Sequence, residues 1–299
     1  MEKELIENLL KVGRYNKMYR VNFNGLRLYV QEKPFAYYSG LTGALSACTF
    51  KGDPDERRLT GWRNSMIDSF GEKNAKDYVD MTAQFGTLLH AALVTIKNNG
   101  CINWDENRDQ ANDEFYKAGM TDLRTLKKMV FEYQKHVASL MQFVYERVER
   151  IDAIETPAKW EAFKIATPID FFCSCRQTEK GKFYPTTINI KTASAINNHH
   201  FEQVACELAM WNETYSDKAE YAGILRTKDW TKEPSYEFKS MQSDVAGILS
   251  DKAAAHLRLC LNSPASYYPS PEYKTFSGVT KIGDKPEIIT RTLQNEWES

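Results

Sequence analysis

Asp170, Asn189, Lys191 and Gln203 are polar residues set in apolar surroundings, with types suited to joint chemistry. Asp170 lies in Ile169-Asp170-Phe171-Phe172. An acid inside an apolar strand is rarely buried without a cation or a metal. An Arg or Lys partner would satisfy it as well, and Pro168 just before it implies a bulge or an edge. In Ile188-Asn189-Ile190-Lys191 the apolar and polar residues alternate. A strand would send Ile188 and Ile190 to one face and Asn189 and Lys191 to the other. A buried ammonium there needs a partner or an active site. An edge strand with a solvated polar face would give the same pattern.

Three further positions belong with these. Glu207 follows Gln203 by four residues, so the two share a face of the next helix. His90 follows Gly86 by four on an upstream helix. A mid-helix Gly costs about 1 kcal/mol against Ala, which here predicts another backbone approaching beside His90. A lone His on an apolar helix is also a common structural residue. Glu155 and Glu161 flank the strand that enters Asp170, and either could simply be solvated. As a set these residues fit one chemistry. A hard divalent cation takes oxygens from carboxylates, backbone carbonyls and water. It acidifies bound water and offsets charge on a phosphodiester, and a neighbouring Lys orients the water or stabilises the transition state.

The elements that must position these groups are legible in outline. Leu5, Ile6, Leu9 and Leu10 predict a short amphipathic helix, and Asn24-Gly25 between two alternating runs predicts a hairpin. Residues 37–47 start as a loop and turn apolar, 51–56 read as a turn, and Leu59–Phe70, with Trp62, as a helix. Residues 77–98 have helical spacing, ended by Asn98-Asn99-Gly100. Residues 101–119 read as a polar loop. Thr121 is the expected cap of a long helix running to about Ile151, with Leu126, Val130, Tyr133, Val137, Leu140, Val144 and Val148 as its stripe. Strands are expected in Ile154–Ala158, Phe163–Cys175 and Lys182–Ala193, with a hairpin turn at 179–182, then a helix over 199–215. Short strands at 221–226 and 235–238, a helix over 243–261 and a Pro/Tyr-rich surface loop at 263–273 complete the reading.

Composition limits the function classes. The 299 residues are 42% apolar and 26% charged, ordinary for a globular chain that buries a real core. The net charge of −1 excludes a global basic field, so any nucleic acid must be held by a local patch. No apolar run reaches the ~18 residues of a membrane span, and the N-terminus lacks a signal-peptide core, so an intracellular, cytoplasmic setting is expected. The six Cys are scattered without a C-x2-C pair, which predicts reduced, mostly buried thiols and neither a zinc ribbon nor an iron–sulfur cluster.

The ordered motifs resemble the RecB-like branch of the PD-(D/E)XK nucleases, in the style of phage-type and mitochondrial genome-maintenance exonucleases. The likeness runs from Tyr37-Tyr38-Ser39-Gly40-Leu41-Thr42, through Trp62-Arg63 and Gly86-Thr87-Leu88-Leu89-His90, to Ile154-Glu155-Thr156-Pro157. It continues with Ala166-Thr167-Pro168-Ile169-Asp170, with Asn189-Ile190-Lys191-Thr192 in place of Asp-x-Lys-Thr, and with Gln203, where Glu207 replaces a Tyr. The resemblance implies an α/β fold: a restriction-endonuclease-like core with a central mixed sheet flanked by helices, plus an N-terminal helical lobe. The implied divisions are 1–120 (hairpin and helical lobe contributing His90), 121–262 (nuclease-like core) and 263–299 (tail packing on the core). It also implies Mg²⁺ or Mn²⁺ held by His90, Asp170, Asn189 and Ile190, with Lys191, Asp170, Asn189, Glu155 and Gln203 as the catalytic set. The substrate would be DNA, as single strands or ends, with no membrane partner. Arg57, Arg58, Arg63, Lys73, Lys127 and Lys128 are its candidate contacts, each also explicable as part of a solvated face.

Asn189 departs from that pattern. It would be an introduced Asp→Asn change that traps metal or DNA, a natural variant that binds metal through its amide oxygen, or the mark of a nuclease fold that binds DNA without cutting it.

Overall fold

A computed structural model describes residues 18–23, 26–32, 35–48, 72–193, 195–228, 230–261, 275–276, 279–282 and 291–292. The expectations for residues 2–12, Asn24-Gly25, 51–56, Leu59–Phe70 and 263–273 lie outside these residues. Strands β1 (Met18–Phe23), β2 (Leu26–Glu32) and β3 (Phe35–Gly40) lead into helix α1 (Leu41–Cys48). Helices α2 (Glu72–Asn99), α3 (Trp104–Lys117) and α4 (Leu123–Arg147) follow. Then come β4 (Val148–Trp160), a 3₁₀ turn at Glu161–Phe163, β5 (Ile165–Arg176), β6 (Phe183–Lys191) and α5 (Asn198–Thr214). Strands β7 (Tyr221–Thr227) and β8 (Tyr236–Gln242), helix α6 (Ser243–Leu261) and the short strands β9 (Thr275–Phe276), β10 (Val279–Ile282) and β11 (Arg291–Thr292) complete the described chain.

The fold is α/β. A mixed sheet of nine described strands runs β10-β1-β2-β3-β5-β6-β7-β8, with β4 added on β5. Because β3 joins β5 in parallel and β10 joins β1, strands β1, β2, β3 and β10 belong to the same sheet as the strands after residue 147. Helices cover both faces. On one, α2, α3 and α4 bury Leu89, Leu93, Phe115, Val137 and Phe143 against Phe171, Cys173, Ile188 and Ile190. On the other, α1, α5 and α6 pack Leu41, Val204, Trp211 and Ala253 against Phe172 and Ile224.

Four sequence expectations fail: residues 37–40, read as the start of a loop, lie in β3, and three more concern the helices. Residues 101–119 are not a loop, because Trp104–Lys117 form α3. Asn103 caps it, its Oδ1 accepting from the N–H groups of Asp105 and Glu106, and Asn107, Ala111 and Phe115 are the buried line. So narrow an apolar face leaves the composition loop-like. The long helix stops at Arg147 instead of near Ile151, and its cap is Asp122, whose Oδ2 accepts from Thr125 N–H at 2.9 Å. Val148, Ile151 and Ile154 fit a helical spacing of three, yet they pair with Cys175, Cys173 and Phe171 across β4 and β5. β-Branched residues satisfy both patterns locally, and the strand partner decides.

Gly223 on β7 leaves no room for a side chain. A Cβ there would come within 2.7 Å of the Phe238 ring and 3.3 Å of Ile188. That ring is itself packed on Phe143, with centroids 4.9 Å apart. Gly223→Ala should therefore cost about 1–3 kcal/mol by overpacking. Urea unfolding measures it, and a change below a few tenths of a kcal/mol would mean that the Phe238 ring simply swings aside.

Candidate metal centre

The centre forms where two strands part. β4 pairs with β5 along its length, from Cys175 back to Ile165. Both β3 and β6 must therefore use the opposite edge of β5. β3 holds only Ile165 and Ala166, and β6 holds only Phe171 to Arg176. Between these two contacts the edge of β5 is open, and Asp170 stands at the point where β6 leaves. Its Oδ2 accepts the Ile190 N–H at 2.6 Å, so a side chain continues where the ladder ends. In an extended strand a residue's N–H and C=O project to the same side. The Ile190 carbonyl therefore faces the same opening.

Alternation on β6 holds as expected. Ile188 and Ile190 enter the core beneath α2–α4, while Asn189 and Lys191 face α5. β6 is an interior strand between β5 and β7, and Asn189 is 4% exposed, so a solvated edge is excluded. α5 starts at a reciprocal cap in which Asn197 Oδ1 accepts from His200 N–H and His200 Nδ1 accepts from Asn197 N–H. The helix then presents Gln203 and Glu207 to β6. Lys191 Nζ donates to Gln203 Oε1 at 2.9 Å, and Gln203 Nε2 donates to Glu207 Oε1 at 2.7 Å. Asn189 Nδ2 donates to both Glu207 oxygens, at 3.1 and 3.3 Å. Its other branch, Oδ1, is buried without a partner among the described residues.

His90 comes from α2 on the other side of the opening. Its Nε2 lies 3.4 Å from Asp170 Oδ2, and its Nδ1 contacts Glu155 Oε1. One ligand atom from each of His90, Glu155 and Asp170 falls within 4.8 Å of the others. Glu155 reaches this position from a left-handed backbone, φ +47°. That conformation costs a non-Gly residue on the order of 1–3 kcal/mol and persists only where its surroundings enforce it. The approach predicted at Gly86 is absent: a Cβ there would meet nothing within 4 Å among the described residues.

The charges are out of balance. Burial lowers the His90 pKa, but Asp170 and Glu155 outweigh it and hold the imidazole well above its ordinary range. Burial raises the Asp170 pKa, and His90, Lys191 and the Ile190 N–H reverse that and keep it low. Burial, with Asp170 alongside, pushes Glu207 up to about 8 against the pull of Lys191 and the two amides. Three acids thus face two bases, and Glu207 ionises readily only when further positive charge joins the cluster. A divalent cation among His90, Glu155 and Asp170 would offset that excess: the two carboxylates are donors a hard cation takes, and the imidazole would join them on giving up its proton. The orphaned Asn189 Oδ1 and the Ile190 carbonyl offer neutral oxygens on the β6 side.

The remaining sequence candidates fall outside this cluster. Arg57, Arg58 and Arg63 are not among the described residues, and Lys73 lies on α2 with its side chain not described. Lys127 and Lys128 are exposed on α4, where Lys128 pairs with Glu132 one turn on. Glu161 belongs to a separate group, accepting from Tyr38 Oη at 2.9 Å and pairing with Lys159 at 3.2 Å. Among the Cys with described side chains, Cys173, Cys175 and Cys206 are buried free thiols, as expected, and Cys101 is exposed. No described helix is long and apolar enough to cross a membrane. The chain matches no protein-family model and no curated protein.

Proposed function

We propose that this chain is a metal-dependent deoxyribonuclease of the PD-(D/E)XK superfamily, RecB-like branch, hydrolysing phosphodiester bonds of single-stranded DNA or DNA ends. The observation that carries the reading is the meeting of His90 with Glu155 and Asp170, from α2, β4 and β5, beside the Lys191 end of β6. His90, Glu155 and Asp170 would hold Mg²⁺ or Mn²⁺, with the Ile190 carbonyl and Asn189 Oδ1 on the β6 side. Such an ion acidifies water and offsets the charge of the phosphate. Lys191, steadied by Gln203, presents its ammonium to the phosphate oxygen that gains charge as the bond breaks. His90 and Glu155 fix one another, and the Ile190 N–H fixes Asp170, so these ligands lose little freedom on binding.

The test is end-labelled single- and double-stranded DNA incubated with the chain and Mg²⁺ or Mn²⁺. Shortening that stops with a chelator is expected. Lys191→Ala should lower the rate by about a hundredfold or more while leaving Mn²⁺ binding in place. A chain that cuts neither substrate with either ion would refute the nuclease reading. Salt-sensitive DNA binding without cleavage would then favour a nuclease-fold binding protein, the reading that Asn189 supports.

A further inference from the structure

The acid missing from position 189 has a replacement one helix away. Glu207 on α5 is 1% exposed, and both its oxygens take the Asn189 amide. A buried carboxylate needs hydrogen-bond donors or a cation to offset its lost hydration. Here it has two donors, Asn189 Nδ2 and Gln203 Nε2, and both are neutral. The same contact sets the direction of the amide. With Nδ2 turned to Glu207, Oδ1 is left on the opposite branch, buried and unpartnered among the described residues. An unpaired buried carbonyl oxygen is destabilising unless something comes to it. An acceptor oxygen in a cluster rich in acids is suited to a cation.

We propose that Asn189 and Glu207 act as one divided acidic position in the metal centre. Glu207 supplies the negative charge from α5 and orients the amide, and Asn189 Oδ1 is the oxygen donor for the divalent cation. This rests on reading His90, Glu155 and Asp170 as a cation site. It makes Glu207 a positioning residue and assigns a function to the Asn in place of a defect.

A charge swap tests it, with Mn²⁺ titrated calorimetrically into the full chain and folding followed by circular dichroism. Glu207→Gln leaves an amide at both positions and removes the charge, so Mn²⁺ affinity should fall about tenfold or more. Asn189→Asp combined with Glu207→Gln moves the charge to β6 and reverses the hydrogen bond, so affinity should return to within about threefold of the unaltered chain. Unchanged Mn²⁺ affinity in folded Glu207→Gln overturns the proposal. Should that variant not fold, the double variant decides. A bystander Glu207 predicts that the new carboxylate tightens Mn²⁺ about tenfold or more, whereas the divided acid predicts little change. An unaltered chain that binds no Mn²⁺ overturns the proposal too. The nuclease reading fails separately: Mn²⁺ affinity that follows the swap in a chain that cuts no DNA keeps the divided acid and discards the nuclease.

Discussion

Asp170→Asn is expected to abolish measurable Mn²⁺ binding and to slow the proposed DNA cleavage by about a thousandfold or more. Among the described residues, Asp170 is the one carboxylate that touches both halves of the site. Its Oδ2 faces His90 Nε2 at 3.4 Å and accepts the Ile190 N–H at 2.6 Å. The carboxamide is nearly isosteric and can still accept from Ile190, so the end of the β5–β6 ladder should survive. What disappears is the anionic charge at the mouth of the opening, where a dication needs it most. A folded Asp170→Asn chain that binds Mn²⁺ like the parent would show that the centre lies elsewhere. The variant's unfolding midpoint in urea serves as the control for structure.

Trp211→Ala is expected to cost about 3–5 kcal/mol of stability, read from urea unfolding. Trp211 is fully buried and stacks on Phe172 with ring centroids 4.4 Å apart. Its Nε1 donates to the Asp217 carbonyl at 2.7 Å, tying the end of α5 to the turn that enters β7. Truncation leaves a large cavity and an unpaired carbonyl. It also removes what clamps α5, and so Gln203 and Glu207, onto the strand that carries Asp170. Mn²⁺ affinity should fall together with stability. A loss below about 1.5 kcal/mol would mean that α5 is held chiefly by its other contacts.

Much of the architecture was legible because local pattern and tertiary packing agree. Ile188-Asn189-Ile190-Lys191 alternates, and β6 turns those residues to opposite faces. Asn98-Asn99-Gly100 ends α2, with Gly100 at φ +69°. The two misread elements share one cause. Trp104–Lys117 buries only three residues, so its composition resembles a loop, and Val148–Ile151 satisfies helix and strand spacing at once. In both places the deciding energy lies in a contact with a distant segment, which no local window contains. For Glu207, the sequence signal was its spacing of four from Gln203, enough to place the two on one face and too little to name Asn189 as the partner.

The sequence by itself determined the alternating strand, the acid in an apolar run and the His on an amphipathic helix, because side-chain direction follows from backbone period. It left open whether these residues meet. That was decided by the tertiary structure: β4 occupies one edge of β5, so β3 and β6 share the other, and the gap between them opens at Asp170. Pairing between segments as distant as Ser39 and Ile165 depends on which sheet edges remain free, a property of the assembled chain. The same assembly set Asn189 against Glu207. In the sequence Asn189 stands as an acid lost; in the fold, Glu207, an acid on a neighbouring helix, holds its amide.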